Sequence, residues 1–268
     1  MLNAKGRKKR AGVERAIEGT KAKIRTEKEK EVRVEEELMP EKKEVKREKE
    51  EWYERFRWFE TSDGFLVIGG KDATTNEMLV KKYMDASDLF FHTQAEGAPA
   101  VIAKTEGKEV SEAGLKEIAQ FAASYSNLWK YGFYEGECYC VTGEQVSKTP
   151  PSGEYIKKGS FVVRGKRKYF KAALGLCIGI EKDKNKLIAC PSLSHIKEDM
   201  RYFVELEPGD MEKNAISKEI LKFISDSVKD ENKEEGRRIA TQDKILSFLP
   251  PGKSRIKGFY PLISESAT

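Results

Sequence analysis

The chain of 268 residues has room for one large domain, or for a domain with substantial appendages. Hydrophobic residues make up 38% and charged residues 35%, too polar an average for a single body packed around an apolar core throughout. Fifty Lys and Arg against 45 Asp and Glu leave a formal charge of +5, so the positive charge speaks of a partner only where it is clustered. No stretch approaches the roughly 18 apolar residues of a membrane span, and MLNAKGRKKRAG has no apolar run behind its basic cluster. The expectation is a cytoplasmic protein with no membrane attachment and no secretory signal. Cys138, Cys140, Cys177 and Cys190 are too few for a disulfide scaffold in a chain of this length, which fits a reducing compartment.

Residues 5–51 hold no aromatic side chain, and Glu27–Glu51 is almost wholly Lys, Glu and Arg. Such a segment cannot bury a core. Val13, Ile17 and Ile24, spaced by four and seven, fit a narrow helical seam like the end of a coiled coil, and Pro40 breaks its continuation. Residues 1–50 therefore read as a charged helical stalk, partly disordered. It leads into the aromatic cluster Trp52, Tyr53, Phe56, Trp58 and Phe59, where the globular part begins.

From Phe59 onward, short apolar runs are punctuated by Gly and Asp. Ser62, Asp63 and Gly64 read as a tight hairpin turn before the strand FLVIGG. Helical spacing from about Thr75 to Met84 predicts a helix, followed by the buried strands LFFHT and PAVIAKT. Ser111 caps a second helix that runs to Tyr125, with Leu115, Ile118, Ala119, Ala122 and Ala123 on one face. ECYCVTGEQV, GSFVVRG, LGLCIGIEK, KLIACP and RYFVELEPG are strand-like, and Ser217–Leu249 returns to helical periodicity around the polar interruption DENKEEGRR. Few helices among many strands argue for an α+β fold with a mixed β-sheet: a domain over residues 51–210, then a C-terminal helical extension over 211–268.

The stretch Ser147–Phe170 is the richest in binding chemistry. A Pro-Pro-Ser-Gly turn holds it open, Tyr155 offers a stacking face, and Lys148, Lys157, Lys158, Arg164, Lys166, Arg167 and Lys168 supply charge. Cations displace the counterions condensed on a phosphate backbone and a ring can stack on any base, so the combination suits RNA; a solvated turn is the plainer alternative. Arg164–Lys168 reads as a hairpin tip reaching into solvent. Gly69 and Gly70 stand just before a helix carrying Lys81 and Lys82, which invites comparison with a phosphate-cradling loop, but GxxxxGK[ST] is missing and a cap by Asp72 or Thr74 is the better reading. His92, at the end of LFFH, has neither HExxH nor a nearby second histidine, so a hydrogen-bonded strand-end histidine is preferred to a catalytic one. Cys138 and Cys140 alternate along a strand and read as two small core residues rather than as a zinc pair. No acid pair or nucleophile triad is present, and the expectation is a non-enzymatic protein without metal or cofactor.

WYERFRWFETSDGFLVIGGKDATTNEMLVKKYM, DLFFHTQAEGAPAVIAK and QVSKTPPSGEYIKKGSFVVRGKRKYF resemble, in order and spacing, the NFACT-R domain of the NFACT family, which includes NEMF, Caliban and the fibronectin-binding protein A homologues. FLPPGKSRI is similar to the ending of archaeal members, and the stalk is similar to the end of the family's long coiled coil. The resemblance implies an RNA-binding module of ribosome-associated quality control, with tRNA and the large ribosomal subunit carrying a stalled nascent chain as partners. It also implies that Arg57, Lys71, Asp72, Asn76, Glu77, Lys81 and His92, together with the basic loop through Lys168, face RNA. An NFACT-N domain like that of full-length members is not recognisable, which puts tailing activity in doubt and makes a separate NFACT-N-containing protein a further expected partner. The competing expectation is a protein-interaction module that docks such a half or another quality-control partner.

Overall fold

The structure is a computed structural model that describes residues 18–21, 51–95, 97–149, 157–184, 186–228 and 240–261. The chain divides after Glu50. Before that point only Glu18–Lys21, a turn of exposed helix, is described. The expected coiled-coil seam, the Pro40 break, the Pro-Pro-Ser-Gly turn with Tyr155, and the DENKEEGRR interruption lie outside the described residues.

The globular unit is built on a six-stranded sheet in the order β1-β2-β4-β3-β5-β8, from β1 (Arg57–Glu60), β2 (Leu66–Gly69), β3 (Leu89–Thr93), β4 (Val101–Ala103), β5 (Glu135–Thr142) and β8 (Lys168–Ala173). Helix α1 (Ala73–Lys82) covers one face and α2 (Glu112–Ser124) the other. Side chains of a strand alternate between faces, and LFFHT divides accordingly. Phe90 packs with Leu79 and Val80 of α1, whereas Phe91 packs with Phe121 and Ala122 of α2. Both faces are covered, which is why this strand opens with the unbroken apolar run Leu89-Phe90-Phe91.

Helix α2 is also the bridge to a second sheet, β10-β9-β11-β12, formed by β9 (Leu176–Glu181), β10 (Leu187–Pro191), β11 (Met200–Met211) and β12 (Ser254–Pro261). Ile118 and Phe121 share one core with Leu176, Ile178 and Val204 of that sheet. Polar groups of α2 tie the layers together. Glu117 accepts from the Ser62 N–H at 3.0 Å and from the Ser194 hydroxyl at 3.4 Å, and Gln120 donates to the Ala173 carbonyl at 3.0 Å while accepting from the Leu193 N–H at 2.8 Å. Each buried polar atom of this helix that bonds in this way avoids the penalty of an unpaired group, so a nearly all-round buried helix can carry Glu and Gln.

The α+β class is the one expected, but every pairing among the described strands is antiparallel rather than mixed. Strands β2 and β3, joined through α1, run parallel only as next-but-one neighbours, because β4 is inserted between them and satisfies both ladders. Two further expectations are corrected. Residues 211–268 are not a helical extension: α4 (Lys213–Ser227) and α5 (Gln242–Phe248) are followed by β12, which pairs along β11 and completes the second sheet, so a boundary at 210 cuts β11. SRIKGFYP hides this role because Gly258 interrupts its period-two pattern, close to the register shift between Glu205 and Leu206 of its partner strand. Arg164–Lys168 is not a hairpin tip either, since β7 (Val162–Val163) pairs with β6 (Val146–Ser147) and β8 pairs with β5. The segment is a link between two sheets, clamped by the Gln145 side-chain amide on the carbonyls of Arg164 at 2.7 Å and Lys166 at 3.1 Å.

Trp129, on the short helix α3 (Asn127–Lys130), donates from Nε1 to the Lys253 carbonyl at 2.9 Å and to the Ser254 hydroxyl at 3.1 Å, fixing the start of β12. Trp129→Phe removes the donor and leaves its acceptors without it, which is expected to cost about 1–3 kcal/mol in urea unfolding with an unchanged m-value. A loss below about 0.5 kcal/mol would show that β12 docks without this tie.

Candidate nucleic-acid interface

The ends of β2 and β3, the start of α1 and the segment around Lys157–Val163 enclose a cavity of about 930 Å³. Its floor depends on Gly70. A Cβ there would stand 2.0 Å from Asn76 Oδ1, so only glycine lets Asn76 turn back and accept from the Ala100 N–H at 3.0 Å. That bond uses the Asn76 oxygen and leaves its amide NH₂ for the cavity. The amino terminus of α1 is already satisfied: Asp72 Oδ1 accepts from the Thr75 N–H at 2.8 Å, and Thr75 Oγ1 accepts from the N–H groups of Lys71 at 2.8 Å and Asp72 at 2.9 Å. Backbone hydrogen bonding from Thr75 holds the Asp72 carboxyl below its ordinary range. The anion position at this helix end is thus filled by the protein's own carboxylate, and Gly69-Gly70 serves packing rather than cradling a phosphate.

Arg57 is the principal group of the site. Its guanidinium lies 4.4 Å from the centre of the Tyr125 ring and donates to the Gly70 carbonyl at 3.1 Å. Its Nε is buried without a hydrogen-bond partner, and no carboxylate among the described residues forms an ion pair with it. Burial pushes its pKa down, and the charge of Arg57 adds to burial in lowering those of Lys71 and Lys213. Three cations thus share a region in which the capping Asp72 is the one carboxylate among the described residues that offsets Arg57 and Lys71. The second unpartnered buried atom among the described residues, Oγ1 of Thr93, belongs to the same cavity, and Thr93 is only 1% exposed.

His92 also lines the cavity. Its Nδ1 lies 2.8 Å from the Pro99 carbonyl and burial holds its pKa below the usual value, so the ring is neutral at pH 7 with Nδ1–H donating and Nε2 left as an acceptor. The aromatic wall continues through Tyr139, with Arg167 stacked 4.5 Å from its ring centre, and Phe161, edge-on to Phe90 at 5.9 Å. Lys157 and Lys158 stand exposed at the rim, and Gly159, at φ +82°, brings their loop against Ala73.

The structure therefore gathers Arg57, Lys71, Asp72, Asn76, His92, Lys157, Lys158 and Arg167 around one cavity. It does not bring Glu77, Lys81 and Lys148 there. Glu77 lies 2.7 Å from Lys81 and 3.5 Å from Lys148, and its carboxyl is held low chiefly by the bond from Lys81. These three form an ion-pair group of their own. Arg164, Lys166 and Lys168 are exposed and do not line the cavity, and Tyr155 lies outside the described residues. Tyr125, Thr93, Tyr139 and Phe161 are not legible in the sequence as site residues; their only signal there is aromatic or polar character, at an element end for Thr93 and Tyr125 and within β5 for Tyr139. Replacing an unpaired buried charge with an apolar side chain of similar length is commonly neutral or stabilising. Arg57→Met is accordingly expected to change unfolding stability by no more than about 1 kcal/mol, or to raise it; a loss above about 3 kcal/mol would mean that Arg57 is a satisfied structural cation.

Residues 55–165 match the NFACT protein RNA binding domain. The chain is 42% identical over 197 residues to the archaeal Rqc2 homolog aRqcH of Methanocaldococcus jannaschii, covering 72% of this chain and 28% of that protein. It is 43% identical over 110 residues to the ribosome quality control complex subunit NEMF homolog of Drosophila melanogaster, covering 41% of this chain and 11% of that one. The C-terminal structure of the fibronectin/fibrinogen-binding protein from Streptococcus suis aligns with 48% of this chain and 49% of that one at 21% identity and a TM-score of 0.39, too low to carry an argument. The chain thus spans a little over a quarter of its archaeal relative and about a tenth of the animal one. Arg57, Asn76, His92 and the Lys157–Lys158 rim all fall inside the matched domain, while Arg167 lies just beyond it. Residues 55–165 match the NFACT RNA-binding domain and the chain is homologous to an archaeal Rqc2 homolog and to NEMF, as a member of the NFACT family would be.

Proposed function

We propose that this chain is a non-enzymatic RNA-binding module of ribosome quality control that contacts tRNA in the setting of the large ribosomal subunit, in the cytoplasm. The observation that carries the reading is Arg57, a largely buried guanidinium with no carboxylate partner among the described residues, in the wall of a cavity rimmed by Lys157, Lys158 and Arg167. A polyanion with flat bases supplies what these groups lack: charge for the cations and a π-face for Tyr139 and Phe161. The neutral His92 is held by a backbone carbonyl and is oriented by no carboxylate among the described residues, which suits hydrogen bonding to a ligand better than proton transfer.

Fluorescence anisotropy of labelled total tRNA across about 50–300 mM salt tests this directly. The chain should bind saturably, with affinity falling steeply as salt rises. Lys157→Glu/Lys158→Glu should weaken binding at least tenfold and flatten the log–log salt slope by about two, one for each phosphate that these lysines neutralise. Arg164→Glu/Lys166→Glu/Lys168→Glu should have the smaller effect, because these cations stand away from the cavity. Affinity indifferent to salt and to Lys157 and Lys158 would contradict the proposal and favour docking of a protein partner, such as one carrying an NFACT-N domain.

A further inference from the structure

We propose that the cavity is a single-nucleotide site: it takes one unstacked nucleotide of an RNA chain, with a phosphate against the Arg57 guanidinium and the base against Tyr139, His92 and Phe161. The proposal rests on the RNA-binding reading and narrows it from a charged surface to a pocket of defined stoichiometry. Four observations carry it. The volume of about 930 Å³ lies within the roughly 300–1,000 Å³ of sites that enclose small molecules, and far exceeds what a bare inorganic anion fills. The two buried polar atoms without partners among the described residues, Nε of Arg57 and Oγ1 of Thr93, both belong to residues of its wall. Such orphan groups are rare in folded proteins, and both sit immediately behind the cavity surface, where a small shift of the side chain on ligand binding would give them a partner.

The third observation is the distribution of chemistry. Arg57 and Lys71 gather at the end of β2, whereas the side formed by β3, β5 and Phe161 carries the rings, with the ring centre of His92 5.9 Å from that of Phe90 and 6.1 Å from that of Tyr139, on which Arg167 also stacks. A nucleotide has the same division, one charged end and one flat apolar face. The fourth is polarity at the aromatic side. Asn76 offers amide hydrogens because its oxygen is engaged by Ala100, and His92 offers an acceptor because its Nδ1 faces Pro99. One donor and one acceptor can meet a base edge, which presents both kinds of group. Stacking tolerates any base, so the site holds a nucleotide position without demanding one sequence. Asp72 closes the alternative anion position at the start of α1 and leaves the guanidinium as the phosphate contact.

The test is calorimetric titration of the intact chain, at low salt, with nucleoside 5′-monophosphates, the corresponding nucleosides and inorganic phosphate. One nucleoside monophosphate should bind per chain, at least tenfold tighter than its nucleoside or phosphate alone. Arg57→Met should weaken the monophosphate at least tenfold with little effect on the nucleoside. Tyr139→Leu should weaken monophosphate and nucleoside alike, and Thr93→Val should weaken the monophosphate severalfold. Urea unfolding of each variant checks that it is folded. Equal affinity for phosphate and monophosphate, or stoichiometry above one, would overturn the single-nucleotide site. If no monophosphate saturates the chain while tRNA binding still depends on Lys157 and Lys158, the nucleotide site falls and the RNA-binding reading stands. Failure of both would overturn both.

Discussion

A largely buried guanidinium that forms no ion pair among the described residues is the constraint on which the functional side of this structure turns. Arg57 stacks on Tyr125 and donates to the Gly70 carbonyl, while its Nε has no partner. Stacking on a ring recovers about 1–2 kcal/mol, less than the several kcal/mol that an unpaired buried ion costs. The fold tolerates the deficit because its two cores and the polar ties of α2 stabilise everything around it. An anion arriving at the cavity would remove that deficit, so the free energy the fold forgoes at Arg57 reappears as affinity.

The scaffold achieves this by placing elements distant in sequence at one sheet end. Gly70 allows Asn76 to bond across to Ala100, which sets the angle between β2 and α1 and puts the carbonyl of Gly70 under Arg57. Tyr125 stands at the carboxyl-terminal cap of α2, held by its hydroxyl on the Phe248 carbonyl at 2.7 Å, so the helices beside the second sheet position the ring on which Arg57 rests. The second sheet thereby reaches the site without lending it a side chain from its strands.

Much of this is legible in the sequence. The buried strand LFFHT, the cap at Asp72, one of two candidates there, and the helix beginning at Ser111 follow from periodicity and local chemistry, and the structure matches them. Long-range pairing is not legible. VVRGKRKYF looks like a hairpin with Arg164–Lys168 at its tip, yet β7 joins β6 and β8 joins β5, and that split turns Arg167 back over Tyr139 while leaving Arg164 and Lys166 outside. Glu77 and Lys148 look like free charges in the sequence because their mutual pairing crosses from α1 to a distant loop. Strand β12 is hidden for the same reason: its partner β11 precedes it by two helices, and no local pattern announces an edge strand that must complete a sheet.

The most direct measurement is of Arg57 itself, through the Nε–H resonance of its side chain in the selectively labelled chain, followed as a single-stranded RNA is added. The account predicts that this resonance shifts progressively and saturates with the same midpoint as the binding isotherm, and that chloride at equal ionic strength leaves it unmoved. RNA binding that saturates while the Arg57 Nε–H stays in place would contradict the account and transfer the contact to the exposed cations around Arg164.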